Sequence, residues 1–172
     1  FSVLTQEQLE AQYTVSVPEK ASIEKETGDD GNRVLLLKGN DPNLELDLLN
    51  NDLQRSVYGE NITTFDFQFP EGSRSYNGMY NVLRDAGGSV YRVNIKPAER
   101  NKYFLDLKDI GELPLPGKEI KNAVWYTCKT MVKGNSLYLK AWERSAEEPK
   151  DWELIREMED QTGKECRLNF SY

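Results

Sequence analysis

The chain has 172 residues, of which 38% are hydrophobic and 10% are aromatic. A chain of this length suits one domain with a well-formed core, and we expect residues 1–172 to form a single module of a larger protein. The formal net charge of −7 argues against nucleic acid and against an anionic membrane as partners, because both attract concentrated positive charge.

Two residue types limit the chemistry further. Histidine is absent, so Ser-His-Asp and Cys-His catalysis and every imidazole metal site are excluded. The two cysteines, Cys128 and Cys166, are too few for a disulfide framework. Each lies in a strand-like run and is either a small buried apolar side chain or half of one bridge. The chain begins with Phe1 and shows no signal-peptide pattern, so we expect a processed or excised piece.

The first half of the chain predicts one helical turn and then strands. Thr5-Gln-Glu-Gln8 matches a capping box for a short helix through Tyr13. Apolar and β-branched runs bounded by turn residues predict strands at 21–26, 33–38, 44–49 and 62–69. One face of the last strand carries side chains that we expect in the core: Thr63, Phe65, Phe67 and Phe69.

Turn signals divide the second half into hairpins. Asp85-Ala-Gly-Gly88 separates strands at 76–84 and 89–95, and a strand at 102–107 leads into a crossover at 110–122. Gly134-Asn135 tolerates positive φ and joins the two strands of a hairpin within 124–155. Residues 152–160 fit helical spacing as well as a strand. A last strand is predicted at 166–172.

The hairpin has two unlike faces, because strand side chains alternate. In the first strand Tyr126, Cys128, Thr130 and Val132 share one face, and Trp125, Thr127, Lys129 and Met131 share the other. In the second strand Leu137, Leu139 and Ala141 form an apolar face. The other face of the second strand carries aromatic and cationic groups that a solvent-facing sheet could use for binding: Tyr138, Lys140, Trp142 and Arg144.

The predicted elements define an all-β class. No helical segment of ordinary length separates the strands, so parallel βαβ units are excluded. About a dozen short strands with turns between them predict an antiparallel β-sandwich with at most short helical turns.

Several stretches resemble one fold family. Gly31-Asn-Arg-Val-Leu-Leu-Leu37, the Phe-rich strand and Leu83-Arg-Asp-Ala-Gly-Gly-Ser-Val-Tyr-Arg-Val-Asn94 look like the laminin-G-like, or concanavalin-A-like, jelly roll. Trp125-Tyr-Thr-Cys-Lys129 resembles that family's Trp-Tyr-x-hydrophobic-Lys strand, and its continuation is similar to versions attached to bacterial carbohydrate-active enzymes. In those versions the segment after the second Trp is a strand, so we predict a strand at 152–160.

The resemblance implies a jelly roll of two antiparallel sheets, with a sugar bound on the concave face or on the loops at its rim. Family members include carbohydrate-binding modules, lectins, cell-adhesion modules and glycosidases. The resemblance therefore implies a secreted, extracellular or cell-surface protein whose partners are a polysaccharide or oligosaccharide and adjoining domains of the parent protein. A protein-interaction or structural spacer module without a sugar site is the alternative.

Sugar recognition needs flat aromatic rings and planar polar groups. The candidate ligand-binding residues are Arg92, Asn94, Tyr80, Trp142, Asp66, Gln68 and Lys140. For Trp142 there is a structural alternative, since Trp142 and Trp152 could pack as a cross-strand pair. That alternative moves the binding prediction toward Arg92 and Asn94.

Hydrolysis would need two carboxylates that flank the scissile bond. Glu45-Leu-Asp47-Leu-Leu-Asn50 resembles the catalytic strand of the family 16 glycoside hydrolases, in which Glu-x-Asp is followed by a second Glu. Asn50 stands at the position of that family's acid/base, and an amide cannot donate and recover a proton. We therefore expect no enzyme activity and name no catalytic residue.

Calcium is the one metal for which the sequence offers ligands. Thr27-Gly-Asp-Asp-Gly-Asn32 concentrates oxygen donors and glycine, which calcium sites use. Asp29, Asp30 and Asn32 are the candidate ligands of a structural calcium ion, although the same residues are ordinary turn formers. No cofactor is required by the predicted function.

Overall fold

A computed structural model describes the strands of the chain and the whole of the central hairpin. The described residues are 5–12, 14–15, 21–25, 33–37, 45–47, 56–57, 61–72, 79–85, 88–96, 102–107, 111–114, 119–157 and 165–171. Side chains are described chiefly within 62–72 and 119–157.

The described residues form one short helix and fourteen strands. In chain order these are α1 Gln6–Gln12, β1 Thr14–Val15, β2 Ala21–Lys25, β3 Arg33–Leu37, β4 Glu45–Asp47, β5 Ser56–Val57, β6 Asn61–Phe67, β7 Met79–Asp85, β8 Gly88–Lys96, β9 Lys102–Leu107, β10 Gly111–Pro114, β11 Tyr126–Lys133, β12 Ser136–Glu143, β13 Leu154–Glu157 and β14 Glu165–Ser171.

The strands of these described segments build two main sheets and a separate hairpin. The large sheet has the order β1-β4-β14-β7-β8-β9-β10, with β5 also paired to β14. The small sheet has the order β13-β12-β11-β6, and β2 pairs with β3. All strand pairs among the described residues are antiparallel, which confirms the predicted all-β class.

Most predicted elements are present. The capping box is formed, since the Thr5 N–H donates to Gln8 Oε1 at 2.9 Å and the Gln8 N–H donates to Thr5 Oγ1 at 3.2 Å. The ambiguous segment contains a strand, β13, because Leu154 and Ile155 pair with β12. The prediction of a strand there is confirmed.

The predicted crossover contains more structure than its Gly and Pro residues suggested. Residues Gly111–Pro114 form β10, which pairs with β9 at the end of the large sheet. Pro114 is tolerated because an edge strand leaves one row of its backbone groups outside the ladder. The short strands β1 and β5 also have too few residues to show an alternation, and sequence analysis missed them.

The core of the described region lies on one face of the small sheet. Cys128, Leu139 and Ala141 are 0% exposed, although a single sheet buries neither of its faces. A second layer therefore covers this face. Further buried side chains confirm most of the predicted core positions: Phe67, Phe69, Tyr126, Thr130, Val132 and Leu137. Thr63 and Phe65, also predicted in the core, are half-buried. Full burial of each large apolar side chain stabilises the fold by roughly 1.5–3 kcal/mol.

A two-residue turn joins β11 and β12, as predicted. Lys133 is the Cα partner of Ser136, so Gly134 and Asn135 make up the whole connection. Gly134 has a φ of 58°, and among non-glycine residues in the described segments only Ala123 has a positive φ. Positive φ at the first turn residue alone fits a type II′ turn, for which glycine is the favoured residue.

Candidate functional site

The register of the large sheet places polar residues in rows on one face. Cα partners on neighbouring strands share a face, and so do residues two apart along a strand. One row crosses five strands through Asp47, Asn169, Val82, Arg92 and Asp106. The neighbouring row has Glu45 and Ser171 on β4 and β14, and Tyr80, Asn94 and Phe104 on β7, β8 and β9.

We call this surface the polar face. Its residues are Glu45, Asp47, Tyr80, Val82, Arg84, Arg92, Asn94, Phe104, Asp106, Arg167, Asn169 and Ser171. The opposite face of the same sheet is apolar, with Leu168, Leu83, Tyr91 and Leu107 in one row. Antiparallel sheets in sandwiches pack their apolar face inward, so this difference predicts that the polar face is the outer one.

Three of the predicted ligand-binding residues meet on the polar face. Tyr80 is the Cα partner of Asn94, and Arg92 lies one row away on the same strand as Asn94. Arg92 is also the Cα partner of Asp106 on β9. Sequence reasoning missed Asp106, although the alternation within β9 was a signal that could have found it.

Asn169, Asp47 and Glu45 also belong to the polar face, and no local pattern in the sequence indicated this. They reach it through pairing of β14 with β4 and β7, strands that are far apart in the chain. Asp47 and Glu45, the two acidic residues considered for hydrolysis, are thus Cα partners of Asn169 and Ser171. Asn50 lies outside the described residues.

The other four predicted ligand-binding residues belong to the small sheet. Asp66 and Trp142 are Cα neighbours of Thr127 on either side, and Gln68 directly follows β6. The Thr127 hydroxyl donates to Asp66 Oδ1 at 2.6 Å, with Thr127 buried and Asp66 exposed. The predicted set is therefore divided between two sheets.

Lys140 is the residue whose surroundings differ most from the expectation. Its side chain was expected on a solvent-facing surface, but it is only 5% exposed. The segment 145–153, which we call the strap, crosses the outer face of the small sheet at Lys140, while Ile62, Asp66 and Ile155 elsewhere on that face are exposed. The Lys140 ammonium donates to the Pro149 carbonyl at 2.6 Å and lies 2.6 Å from Glu148 Oε1. Lys140 is thus occupied within the fold.

The carboxylate of Glu148 fastens the strap to two strands at once. Its Oε1 atom also accepts from Lys129 Nζ at 2.8 Å. These hydrogen bonds, first from Lys129 and then from Lys140, lower the pKa of Glu148 below its ordinary value. At the end of the strap the Ala141 N–H donates to Glu153 Oε2 at 3.2 Å, which satisfies a backbone donor beyond the end of β13.

The tryptophans of this region surround a cation instead of stacking on each other. Trp152 packs against Tyr138 with ring centroids 5.6 Å apart. The Lys140 ammonium lies 4.9 Å from the Trp152 centroid and 5.8 Å from that of Trp142. Cation–π attraction therefore replaces the cross-strand tryptophan pair considered from the sequence. Trp125 is engaged in the same way by Arg144, at 4.7 Å.

The remaining predictions concern metal and cysteine. Asp29, Asp30 and Asn32 lie outside the described residues, so the calcium site stays a prediction. Within the described segments no group of three His, Cys, Asp or Glu residues is arranged to hold a metal ion.

Cys128 is a free, fully buried thiol, and burial, followed by the charge of Glu153, raises its pKa far above the ordinary value. Nor does any helix in the described part combine the length and apolar character needed to span a bilayer.

The arrangement of the polar face suits recognition by hydrogen bonds and ring stacking. Positions on one face of a sheet repeat at about 7 Å along each strand and about 5 Å across strands. Planar polar residues occupy such positions beside Tyr80, namely Arg92, Asn94 and Asn169. Aromatic rings such as that of tyrosine stack on the apolar faces of sugars. These features define the class of the protein: an antiparallel β-sandwich in which one face of the large sheet is polar.

Comparisons with solved structures identify the fold of this class. The chain is similar to an alginate lyase of polysaccharide lyase family 7, with a TM-score of 0.50, 14% identity, and coverage of 98% of this chain and 76% of that one. It is also similar to a carbohydrate-binding module, CBM66, from Bacillus subtilis, with a TM-score of 0.52, 13% identity, and coverage of 92% and 86%.

These likenesses confirm the predicted jelly-roll β-sandwich. The two similar proteins are a lyase and a binding module, so their shared fold does not decide between catalysis and binding. No family model and no curated protein sequence matches the chain.

Proposed function

We propose that this chain is a non-catalytic carbohydrate-binding module that takes a polysaccharide or oligosaccharide across the polar face of the large sheet. The observation that carries the proposal is the register, which brings Tyr80, Asn94 and Arg92 into adjacent rows with Asn169. Binding would combine stacking on Tyr80 with hydrogen bonds from the planar polar groups.

The fold supports the proposal at the level of architecture, since a carbohydrate-binding module has the same one. Binding sites of this kind are weak singly and become useful when they are tethered to a partner. We accordingly propose an extracellular or cell-surface setting, with adjoining domains of a parent protein, and no nucleic acid or membrane partner. A structural calcium ion at Asp29, Asp30 and Asn32 belongs to the same proposal.

Absence of catalysis is part of the proposal. The likeness to a lyase is the observation that favours the other possibility. Two sensitive assays address it: release of reducing ends would reveal hydrolysis, and ultraviolet absorbance of a new double bond would reveal elimination. Turnover in either assay, abolished by substitution on the polar face, would replace the binding module with an enzyme.

The test of binding is affinity electrophoresis of the folded chain through gels that contain plant and microbial polysaccharides. Tyr80→Ala and Asn94→Ala should each reduce retardation several-fold. The matched control is Asn135→Ala in the exposed hairpin turn, which should leave retardation unchanged. Trp142→Ala reports on the small sheet, and it should bind as the unmodified chain does.

Each unfavourable result has a distinct meaning. No retardation by any polysaccharide favours the spacer or protein-interaction alternative. Retardation that is lost in Trp142→Ala and kept in Tyr80→Ala and Asn94→Ala would move the site to the small sheet and refute the proposed location.

A further inference from the structure

Two arginines lie directly opposite each other on the polar face. Arg167 of β14 and Arg84 of β7 are Cα partners. The β7–β8 register shifts between Leu83 and Arg84, but the β14–β7 register runs unbroken from Asn169 and Val82 to Arg167 and Arg84. The pair therefore shares a face with Asn169 and, two residues beyond Val82, with Tyr80. Cα partners in antiparallel strands are about 4.5–5.5 Å apart, so two cationic residues occupy one cross-strand position.

Such a pair is unfavourable unless something negative accompanies it. Like charges at directly opposite positions destabilise a sheet. The chain has 22 basic and 29 acidic residues, so its composition does not force two arginines together at the centre of a sheet. A pair of guanidinium groups is, however, well suited to an oxyanion, because each can form two parallel hydrogen bonds to a carboxylate or sulfate.

The residues next to Arg84 and Arg167 differ in charge from those next to Arg92, the third arginine of the polar face. Arg92 has an acidic Cα partner, Asp106, whereas the partner of Arg84 on β8 is Ser89. Glu165 lies two residues from Arg167 on the same face of β14, so within the described strands it is an acidic residue that could balance the pair. The acidic residues Asp47 and Asp106 stand on strands to either side, so positive charge is concentrated on the central strands.

We propose that the ligand of the polar face is an anionic saccharide, and that Arg84 and Arg167 together bind one of its carboxylate or sulfate groups. This inference rests on the proposed binding function and assigns the charge class of the ligand. Tyr80 and Asn94 lie further along the same strands and would contact the adjoining part of the sugar chain.

Matched polymers that differ only in charge test the inference. Polygalacturonate is compared with its fully methyl-esterified form, and dextran sulfate with dextran, by titration calorimetry. We expect at least one acidic polymer to bind about tenfold or more tightly than its neutral counterpart. A difference of this size corresponds to one charge-assisted hydrogen bond. The two pairs distinguish a carboxylate from a sulfate ligand, and added salt should weaken binding to the acidic polymer.

Variants connect that preference to the arginine pair. Arg84→Gln and Arg167→Gln should each lower affinity for the acidic polymer about tenfold and leave weak binding to its neutral counterpart unchanged. Arg156→Gln, at an exposed position of the small sheet, is the matched control and should have no effect. Glu165→Gln should keep or increase affinity for the acidic polymer.

The outcomes separate the two proposals. Equal binding of acidic and neutral polymers overturns the anionic ligand and leaves the binding module standing. No binding of any polymer in the larger panel removes the binding module itself. If both arginine variants and Glu165→Gln lower thermal stability equally, with affinity unchanged, the pair is a structural ion cluster and the inference is wrong.

Discussion

Ala123 occupies a backbone conformation that suits glycine better. Its φ is 60°, in the left-handed region, and its N–H donates to the Phe69 carbonyl at 2.8 Å, which fixes the turn before β11. An L-residue pays about 1–2 kcal/mol for this conformation, and glycine does not. Ala123→Gly should therefore raise the free energy of unfolding by about 0.5–1 kcal/mol after the greater entropy loss of glycine is included.

Urea denaturation measures this change, and Ala146→Gly is its control. Ala146 is also exposed and in a turn, but its φ is not positive. The control should lose stability, since glycine brings only its entropic cost there. Equal loss in both variants would show that the φ of Ala123 is not a source of strain.

Because of Cys128, we expect the free energy of unfolding to decrease at alkaline pH. Its thiol is 0% exposed, and burial raises its pKa above that of the unfolded chain, where a thiol ionises near pH 8.5–9. The stabilising contribution is complete below the unfolded pKa and is lost as pH rises from it toward the folded pKa. The free energy of unfolding should fall above about pH 9, by up to about 1.4 kcal/mol per pH unit.

Denaturation of the unmodified chain and of Cys128→Ala at pH 7.5 and pH 10 isolates this effect from the titration of tyrosine and lysine. The difference between the two chains should shrink at pH 10. In the native state at pH 8 Cys128 should also resist alkylation, and it should react once denaturant is added. A pH-independent difference would contradict the prediction.

At the scale of elements, the strap shows how a surface becomes part of the fold. Alternation placed Lys140 on the outer face of β12 correctly, but it did not predict a later segment over that face. The covering contacts join residues 8 to 19 positions apart, such as Lys129 and Glu148, through a loop that has no periodic pattern. Ion pairs to Glu148 hold the middle of the strap, and a backbone hydrogen bond from the Glu153 N–H to the Leu139 carbonyl at 3.0 Å holds its end.

The strap should loosen when Glu148 is protonated or replaced. The lowered pKa of Glu148 means that its stabilising contribution is present above the ordinary carboxyl pKa and is lost as pH falls through the lowered value. Glu148→Gln should speed amide hydrogen exchange in 145–153 at pH 7, while exchange in β11 stays slow. Mass spectrometry of peptic peptides measures both regions.

The control for the strap is Glu147→Gln, since Glu147 is the exposed neighbour and Glu148 carries the two lysine contacts. It removes the same charge from the same loop. Only the Glu148 variant should exchange faster at pH 7. Equal acceleration in both variants would mean that net charge, and not the two lysine contacts, determines strap opening.

At the scale of the whole molecule, sequence predicted what is local. Alternation at Thr63–Phe69 and in the two hairpins gave strands and core faces, because period two is visible within one segment. Pairing of β14 with β4 and β7 was not visible, since register between distant strands depends on packing of both layers. For that reason Arg92 and Asn94 could be predicted as site residues from the sequence, whereas the cross-strand pair of Arg84 and Arg167 could not.

The same topology predicts that the fold depends on its last described strand. β14 lies between β4 and β7 in the large sheet, so removal of 165–172 divides that sheet and exposes two new strand edges. The truncated chain should lose cooperative urea unfolding monitored by tryptophan fluorescence, although every tryptophan lies within 125–152. Removal of 1–12, which takes away α1 but no strand, should leave a cooperative transition.

A peptide of residues 162–172 added to the chain that lacks 165–172 should restore the transition, because the missing strand needs only backbone pairing and its apolar face to dock. A truncated chain that unfolds cooperatively at an unchanged midpoint would show that the two layers are stable without β14.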